Sequence, residues 1–289
     1  MKKKLPFFLA ALIIYAAVAI MSGGPVEDGN VAAADGMKVH FIDVGQADSI
    51  LVQSDEATML IDGGNNADAE AVVDYIKSQN IERLDYVIGT HPHEDHIGGL
   101  DAVIESFDIG AVYMPKAMST TKTFEDVLKA ISKKGLKINT PIPGTNIDLG
   151  RAVFTILAPN GESYESTNNY SIVIKLTNGK NSFLFTGDAE SISEKEVMGK
   201  GFDLSAEVLK VGHHGSTTST TKEFLDMVNP RYAIISAGKD NQYGHPHKEI
   251  LDRLKKKNII VYRTDESGTI IASSDGESIT FSENAKSIR

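Results

Sequence analysis

Three observations predict an α+β protein with mixed sheets covered by helices. β runs are numerous, helical stretches stand among them in mixed order, and each half of the chain runs from β-rich to helical without a repeat of fixed period. The chain has 289 residues, which suits one large domain or two small ones. Hydrophobic residues make up 41% and charged residues 24%, so a core of ordinary size needs no covalent staple.

Residues 22–36 are rich in Gly, Ala and Asp and read as a linker, with the folded part starting near Met37. Met37–Asp43 alternates as a strand does, and Ser49–Gln53 and Thr58–Ile61 are further short β runs. The cluster Asp62-Gly63-Gly64-Asn65-Asn66 is a turn. Ala67–Ser78 has helical spacing, with Ala71, Val72, Tyr75 and Ile76 on one face. Tyr86–Ile88 forms a strand, and Gly98-Gly99 opens a helix through Phe107. Strands follow at Ala111–Met114, Ala152–Leu157, Ser171–Thr177 and Ser182–Phe185, the last two joined as a hairpin at Asn178-Gly179. Phe124–Lys133, Glu194–Met198, Lys222–Val228 and Lys248–Lys256 are helices. The remaining β runs are Glu207–Val211, Tyr232–Ser236, Ile259–Tyr262, Thr269–Ala272 and Ser278–Phe281.

The first 34 residues stand apart from the fold. Lys2, Lys3 and Lys4 precede an apolar run from Leu5 to Met21, and Ala32-Ala33-Ala34 offers a small-residue cleavage site. Residues 1–34 are read as a secretory signal peptide or, if uncleaved, an N-terminal anchor; residues 35–285 are the folded domain. Either reading places that domain outside the cytoplasm. Without residues 1–34, 26 Lys and Arg face 37 Asp and Glu, a net charge of −11. Such acidity argues against a general electrostatic grip on nucleic acid. There is no cysteine, so a metal must be held by His, Asp, Glu or amide oxygen.

The chemistry concentrates in His91-Pro92-His93-Glu94-Asp95-His96, which leaves a strand and enters a helix. His91 and His93 point the same way off an extended tail, and Asp95 and His96 fall at the turn. Two imidazoles can face one cation and an Asp–His pair a second, a few Å away. Asp188 ends a hydrophobic strand after a small Gly, where a carboxylate can bridge two cations. If the strand after Glu207 continues, His213 and His214 face opposite ways.

The hexapeptide resembles the H-x-H-x-D-H signature of the metallo-β-lactamase superfamily. Leu60–Gly64, Phe185–Asp188, Lys210–Ser216 and Tyr243–His247 resemble its other motifs, in order. With Phe41-Ile42-Asp43-Val44-Gly45-Gln46-Ala47-Asp48, the set is similar to the hydrolase domain of ComEC-type competence proteins, and also to secreted phosphorylcholine esterases. The resemblance spans roughly residues 37–285 and implies a four-layer αββα sandwich with a metal site at one edge. It implies two divalent metal ions, zinc or manganese, with His91, His93, Asp95, His96 and Asp188 as ligands and Asp62 orienting them. His245 is expected on the second metal, and His213 or His214 on the substrate's oxyanion or as a proton donor, an assignment that can be exchanged. One departure stands out: no histidine lies between His96 and His213. Asn168 or Asn169 is expected to complete the first metal's shell, a harder donor that favours manganese and argues against a drug-hydrolysing lactamase.

The expected function is an exported metal-dependent hydrolase, a phosphodiesterase or nuclease acting on nucleic acid or an envelope polymer. The alternatives are a phosphorylcholine-type envelope esterase and a non-catalytic binding module with a decayed site. No obligate protein partner is evident, and contact with a membrane is expected only through an uncleaved N-terminus.

Overall fold

The structure, a computed structural model, describes residues 36–288 except Glu56; the expected signal or anchor lies outside the described residues. In chain order the strands of the first half are β1 (Met37–Phe41), β2 (Ile50–Ser54), β3 (Ala57–Ile61), β4 (Arg83–Ile88), β5 (Asp108–Tyr113) and β6 (Ile138–Asn139). The second half holds β7 (Asn146–Leu149), β8 (Ala152–Ile156), β9 (Ile174–Asn178), β10 (Asn181–Phe185), β11 (Val208–Lys210), β12 (Tyr232–Ile235) and β13 (Ile260–Arg263). Then come β14 (Ile270–Ser274), β15 (Ile279–Phe281) and β16 (Ser287–Ile288). One sheet has the order β15-β14-β1-β2-β3-β4-β5-β6 and the other β16-β13-β12-β11-β10-β9-β8-β7. Both are mixed: β3, β4 and β5 run parallel, as do β10, β11 and β12, while the hairpins around them are antiparallel.

Period-two alternation explains the layering. In β1, Met37, Val39 and Phe41 point into a cluster shared with Phe154, Phe183 and Phe185 of the other sheet. The alternate residues Leu60 of β3 and Leu184 of β10 point outward, the first into a cluster with Val72, Ile76, Val103 and Val127, the second into one with Val197, Phe224 and Leu254. The outer clusters lie under α1 (Ala69–Ser78), α3 (Leu100–Ser106) and α4 (Lys122–Lys133) on one side. On the other they lie under α5 (Ser191–Gly199), α6 (Lys222–Val228) and α7 (Lys248–Lys256). The short helices are α2 (Glu94–Ile97) and α8 (Thr264–Ser267). Three separate apolar clusters between four layers make an αββα sandwich.

The helices at Lys222–Val228 and Lys248–Lys256 have the bounds the sequence pattern predicts. Thr221 caps the first, accepting from the Phe224 amide. The two-residue strands β6 and β16 are too short to carry an alternation and escape the pattern, as does β7. The strand expected to run on through Val211 stops at Lys210, with consequences for the histidines beyond it.

Candidate metal centre

The site forms where parallel strands of both sheets end: β3 and β4 in the first, β10 and β11 in the second. After β4 the chain bends at His91 and Pro92, so the expected extended tail holds only at His93, which leads in extended backbone into α2 with Asp95 and His96. Backbone bonds fasten this segment to neighbouring loops: Gly63 N–H donates to His96 O at 2.6 Å and Asp48 N–H to Asp95 O at 3.0 Å. The glycine pair has a steric reason. A Cβ on Gly98 would strike the Asn65–Asn66 backbone, and one on Gly99 would strike the Gly63 carbonyl.

Asp95, His96, Asp188 and His214 converge, each offering a ligand atom within 4.8 Å of the others. His96 Nε2 lies 3.2 Å and His214 Nε2 3.7 Å from Asp188 Oδ1, and His214 Nε2 lies 3.4 Å from Asp95 Oδ2. The far nitrogens are fixed. His96 Nδ1 is 2.7 Å from Asp62 Oδ2, and His214 Nδ1 is 3.1 Å from the Ser236 carbonyl. Both partners accept, so both Nδ1 atoms carry a proton and both Nε2 atoms turn to the cluster. His96 Nε2, His214 Nε2 and Asp188 Oδ1 are buried without a hydrogen-bond partner among the described residues. Three buried orphan donor atoms aimed at one another, from hard and borderline ligands, fit a divalent cation.

The other oxygen of Asp188 serves a second group. Asp188 Oδ2 lies 3.9 Å from His91 Nε2 and 3.6 Å from His213 Nε2, and His91 Nε2 is 3.0 Å from His93 Nδ1. Thr90 Oγ1 and Ser171 Oγ stand 3.2 and 3.3 Å from His91 Nδ1. Thr90 gives its hydroxyl proton to Asp62 at 2.7 Å, so toward His91 it can only accept. Ser171 Oγ also receives the Asp188 amide at 3.0 Å, binding the two ligand groups through one hydroxyl.

Electrostatics follow from this crowding. Burial opposes the charge on His96, but Asp188, Asp62 and Asp95 outweigh it and hold its pKa well above the usual imidazole value. Burial likewise opposes ionisation of Asp188, yet His96 and His214 hold it well below the carboxylate range. For His214, Asp188 and Asp48 overcome burial and raise it. His91 is pushed well down by burial and by its cationic neighbour His96. An array of carboxylates that draws protons onto imidazoles is one that a dication would satisfy in their place.

The two asparagines separate cleanly. Asn169 Oδ1 accepts the Glu190 and Ser193 amides, both at 3.2 Å, so it is spent on the backbone. Asn168 donates to Glu190 at 3.3 Å and leaves its Oδ1 buried without a partner among the described residues. His213 and His214 do not continue a strand. Both adopt left-handed backbone, φ 50° and 52°, in the turn Gly212–Gly215, and His213 N–H is pinned to Gly187 O at 3.1 Å. The expectation that they face opposite ways off a strand is thus corrected: glycines on both sides let the chain coil, at roughly 1–3 kcal/mol per non-glycine residue. His214 enters the buried ligand group, while His213 sits partly exposed with Nδ1 3.0 Å from Thr218 Oγ1. His245 lies outside that group, its pKa lowered to about 4 by burial and by His214, His247 and His213. His247 Nδ1 accepts the Thr217 amide at 3.1 Å and secures the loop.

Several residues at the site carry no single-residue signal. Glu190 holds Asn168 and Asn169, and the wholly buried Lys210 binds Asp48 at 2.7 Å, whose other oxygen stands 3.4 Å from His214 Nδ1. Asp48 and Gln46 sit inside the Phe41–Asp48 motif and Lys210 inside Lys210–Ser216, so the motifs hold them without assigning a role.

Residues 42–239 match the family model described as the metallo-beta-lactamase superfamily. The chain belongs to that superfamily. Among its relatives in the superfamily, ComE operon protein 3 of Bacillus subtilis is 34% identical over 251 residues, covering 81% of this chain and 32% of that protein. Competence protein ComA of Neisseria gonorrhoeae is 30% identical over 79% of this chain and 31% of its own, and Recombination protein 2 of Haemophilus influenzae 30% over 81% and 28%. The chain spans about a third of the length of these curated relatives. The metallo-beta-lactamase fold protein YhfI of Bacillus subtilis superposes with a TM-score of 0.52 at 18% identity, over 78% of this chain and 92% of YhfI. The fold and the clustered His and Asp side chains together fit a centre for divalent metal ions. Among the described residues no helix is long and apolar enough to cross a membrane.

Proposed function

We propose that the protein is an exported phosphodiesterase with two divalent metals, zinc or manganese, acting on nucleic acid. The observation that carries this is Asp188, whose two oxygens face two separate ligand groups. His91, His93, Asp188 and Asn168 would hold one metal; Asp95, His96, Asp188 and His214 would hold the other. Bound metals supply an activated water and neutralise charge on both the attacking and leaving oxygens of a phosphodiester. The chain's own residues orient that chemistry. Asp62 fixes the His96 ring, Ser236 and Asp48 fix His214, and Ser171 ties His91 to Asp188. Partly exposed His213 stands at the rim to meet substrate. Export is supported by Lys2–Lys4 and the apolar run Leu5–Met21. Nucleic acid is the substrate suggested by similarity to a recombination protein of Haemophilus influenzae.

One observation favours a second reading, an esterase of envelope phosphodiesters: a net charge of −11 over residues 35–289 suits a small substrate better than a polyanion. Turnover of bis-p-nitrophenyl phosphate, single-stranded DNA and p-nitrophenylphosphorylcholine by zinc- or manganese-loaded protein separates the two. DNA cleavage should fall in Asp188→Asn by more than about 100-fold, beyond the 10–100-fold typical of losing an outer partner of a metal ligand. Cleavage of the choline ester alone selects the second reading. Stoichiometric metal binding without turnover of any substrate rejects both.

A further inference from the structure

His96 and His214 turn Nε2 to the cluster because acceptors hold their Nδ1 protons. His245 is wired the opposite way. The Gly238 amide N–H donates to Gln46 Oε1 at 3.1 Å. A backbone amide can only donate, so this bond decides which end of the Gln46 amide is oxygen. The NH2 end then faces His245 Nδ1 at 3.3 Å, and an amide NH2 also can only donate. Nδ1 is therefore the acceptor, and the ring's proton sits on Nε2, where no described residue accepts it. The backbone beneath is clamped by Asn241, which accepts the His245 amide at 3.0 Å and donates to the His245 carbonyl at 2.6 Å. The ring stands 5.7 Å from that of His213 and 6.4 Å from that of His214.

We infer that Gln46 is a positioning residue that fixes His245 as its Nε2–H tautomer, making His245 a hydrogen-bond donor to an anionic oxygen of the substrate and not a metal ligand. Ligation through Nε2 would move the proton to Nδ1, against the Gln46 NH2. Turning the amide over would set that NH2 against the Gly238 N–H. Either way one of the two bonds is lost. The substrate-facing role rests on the hydrolase reading above; the tautomer does not.

The test is long-range 1H–15N correlation NMR on 15N-labelled protein, metal-free and zinc-loaded. His245 should show a protonated Nε2 and a bare Nδ1 in both states. Gln46→Glu keeps the shape but reverses the polarity, since its carboxylate can accept from both Gly238 N–H and His245 Nδ1–H. That variant should move the His245 proton to Nδ1 and lower kcat by about 100-fold, the scale of losing one oxyanion donor, with KM and bound zinc unchanged. Gln46→Met, which removes both bonds, should give mixed tautomers and a smaller loss. A protonated Nδ1 on His245 in the wild-type protein overturns the inference, as does an unchanged kcat in Gln46→Glu once its proton has moved to Nδ1. If no phosphodiester is cleaved at all, the hydrolase reading fails while the NMR still decides the tautomer.

Discussion

The two halves of the molecule supply their ligands in different ways. The first half delivers His91, His93, Asp95 and His96 on one segment leaving β4, and the carboxylate that orients His96 is its own Asp62. The second half delivers Asp188 and His214 from separate loops after β10 and β11, and each leans on other elements. Asp188 shares Ser171 with His91, and His214 stands against Asp48, which the buried Lys210 reaches across the sandwich. One half's ligands are thus largely preset by local sequence. In the other half His214 stands against Asp48 of the first, so metal affinity and the docking of the two sheets are coupled through the second group.

The strongest way to break this comparison is to remove the tie between halves. Lys210→Met should destabilise the protein by about 3–5 kcal/mol, because it leaves Asp48 buried without its cation. Urea unfolding of the metal-free protein measures it, and a loss under about 1 kcal/mol would show that the halves do not depend on this pair. Next in size is the local prop of the first half. Asp62→Asn keeps the shape and the contact to Thr90 but removes the acceptor of the His96 proton. Affinity for the more weakly bound metal should fall 10–100-fold, about 1.4–2.8 kcal/mol, with little change in the metal-free unfolding curve. Calorimetric metal titration would refute it by returning wild-type affinity.

The smallest effect separates the acid response of the scaffold from that of the site. His40, in β1, is buried against α1 with Nδ1 2.8 Å from the Tyr75 hydroxyl. Burial, aided by Lys38 and opposed by Gln53, lowers its pKa from 6.5 to about 4. Between those values the unfolded chain binds a proton that the folded one does not. Stability from this group is therefore complete above pH 6.5 and is lost as pH falls toward 4, by roughly 2 kcal/mol at pH 5. His40→Gln should lack this step, so its unfolding free energy should change less than wild type's between pH 7 and pH 5. Parallel pH dependence in the two proteins would assign the acid response elsewhere.

These contrasts also mark how far the residues speak for themselves. Mixed sheets covered by helices were legible in the strand and helix runs, and the four-layer order in the family resemblance; β10 shows that order physically, with Phe183 and Phe185 facing one cluster and Leu184 another. The hexapeptide was legible because its donors are contiguous. Which of Asn168 and Asn169 is spare depended on two backbone amides contributed by Glu190 and Ser193, and no composition rule predicts that. That His214 turns into the buried group depends on a strand ending one residue early and on two left-handed residues, φ/ψ choices that local pattern does not register. Lys210 reads as an ordinary lysine until the fold places it opposite an aspartate 162 positions earlier.

Gly215 carries a mechanical consequence. A Cβ there would sit 2.5 Å from that of Pro246, so the loop bearing His214 and the loop bearing His245 share a surface that only a bare backbone permits. Across the same seam His247 N–H donates to Gly215 O at 2.9 Å, and Thr217 N–H donates to His247 Nδ1, 30 residues further along the chain. The two loops form one clasp. The spacing between the segments that carry His214 and His245 is therefore set by backbone contact and not by side-chain packing.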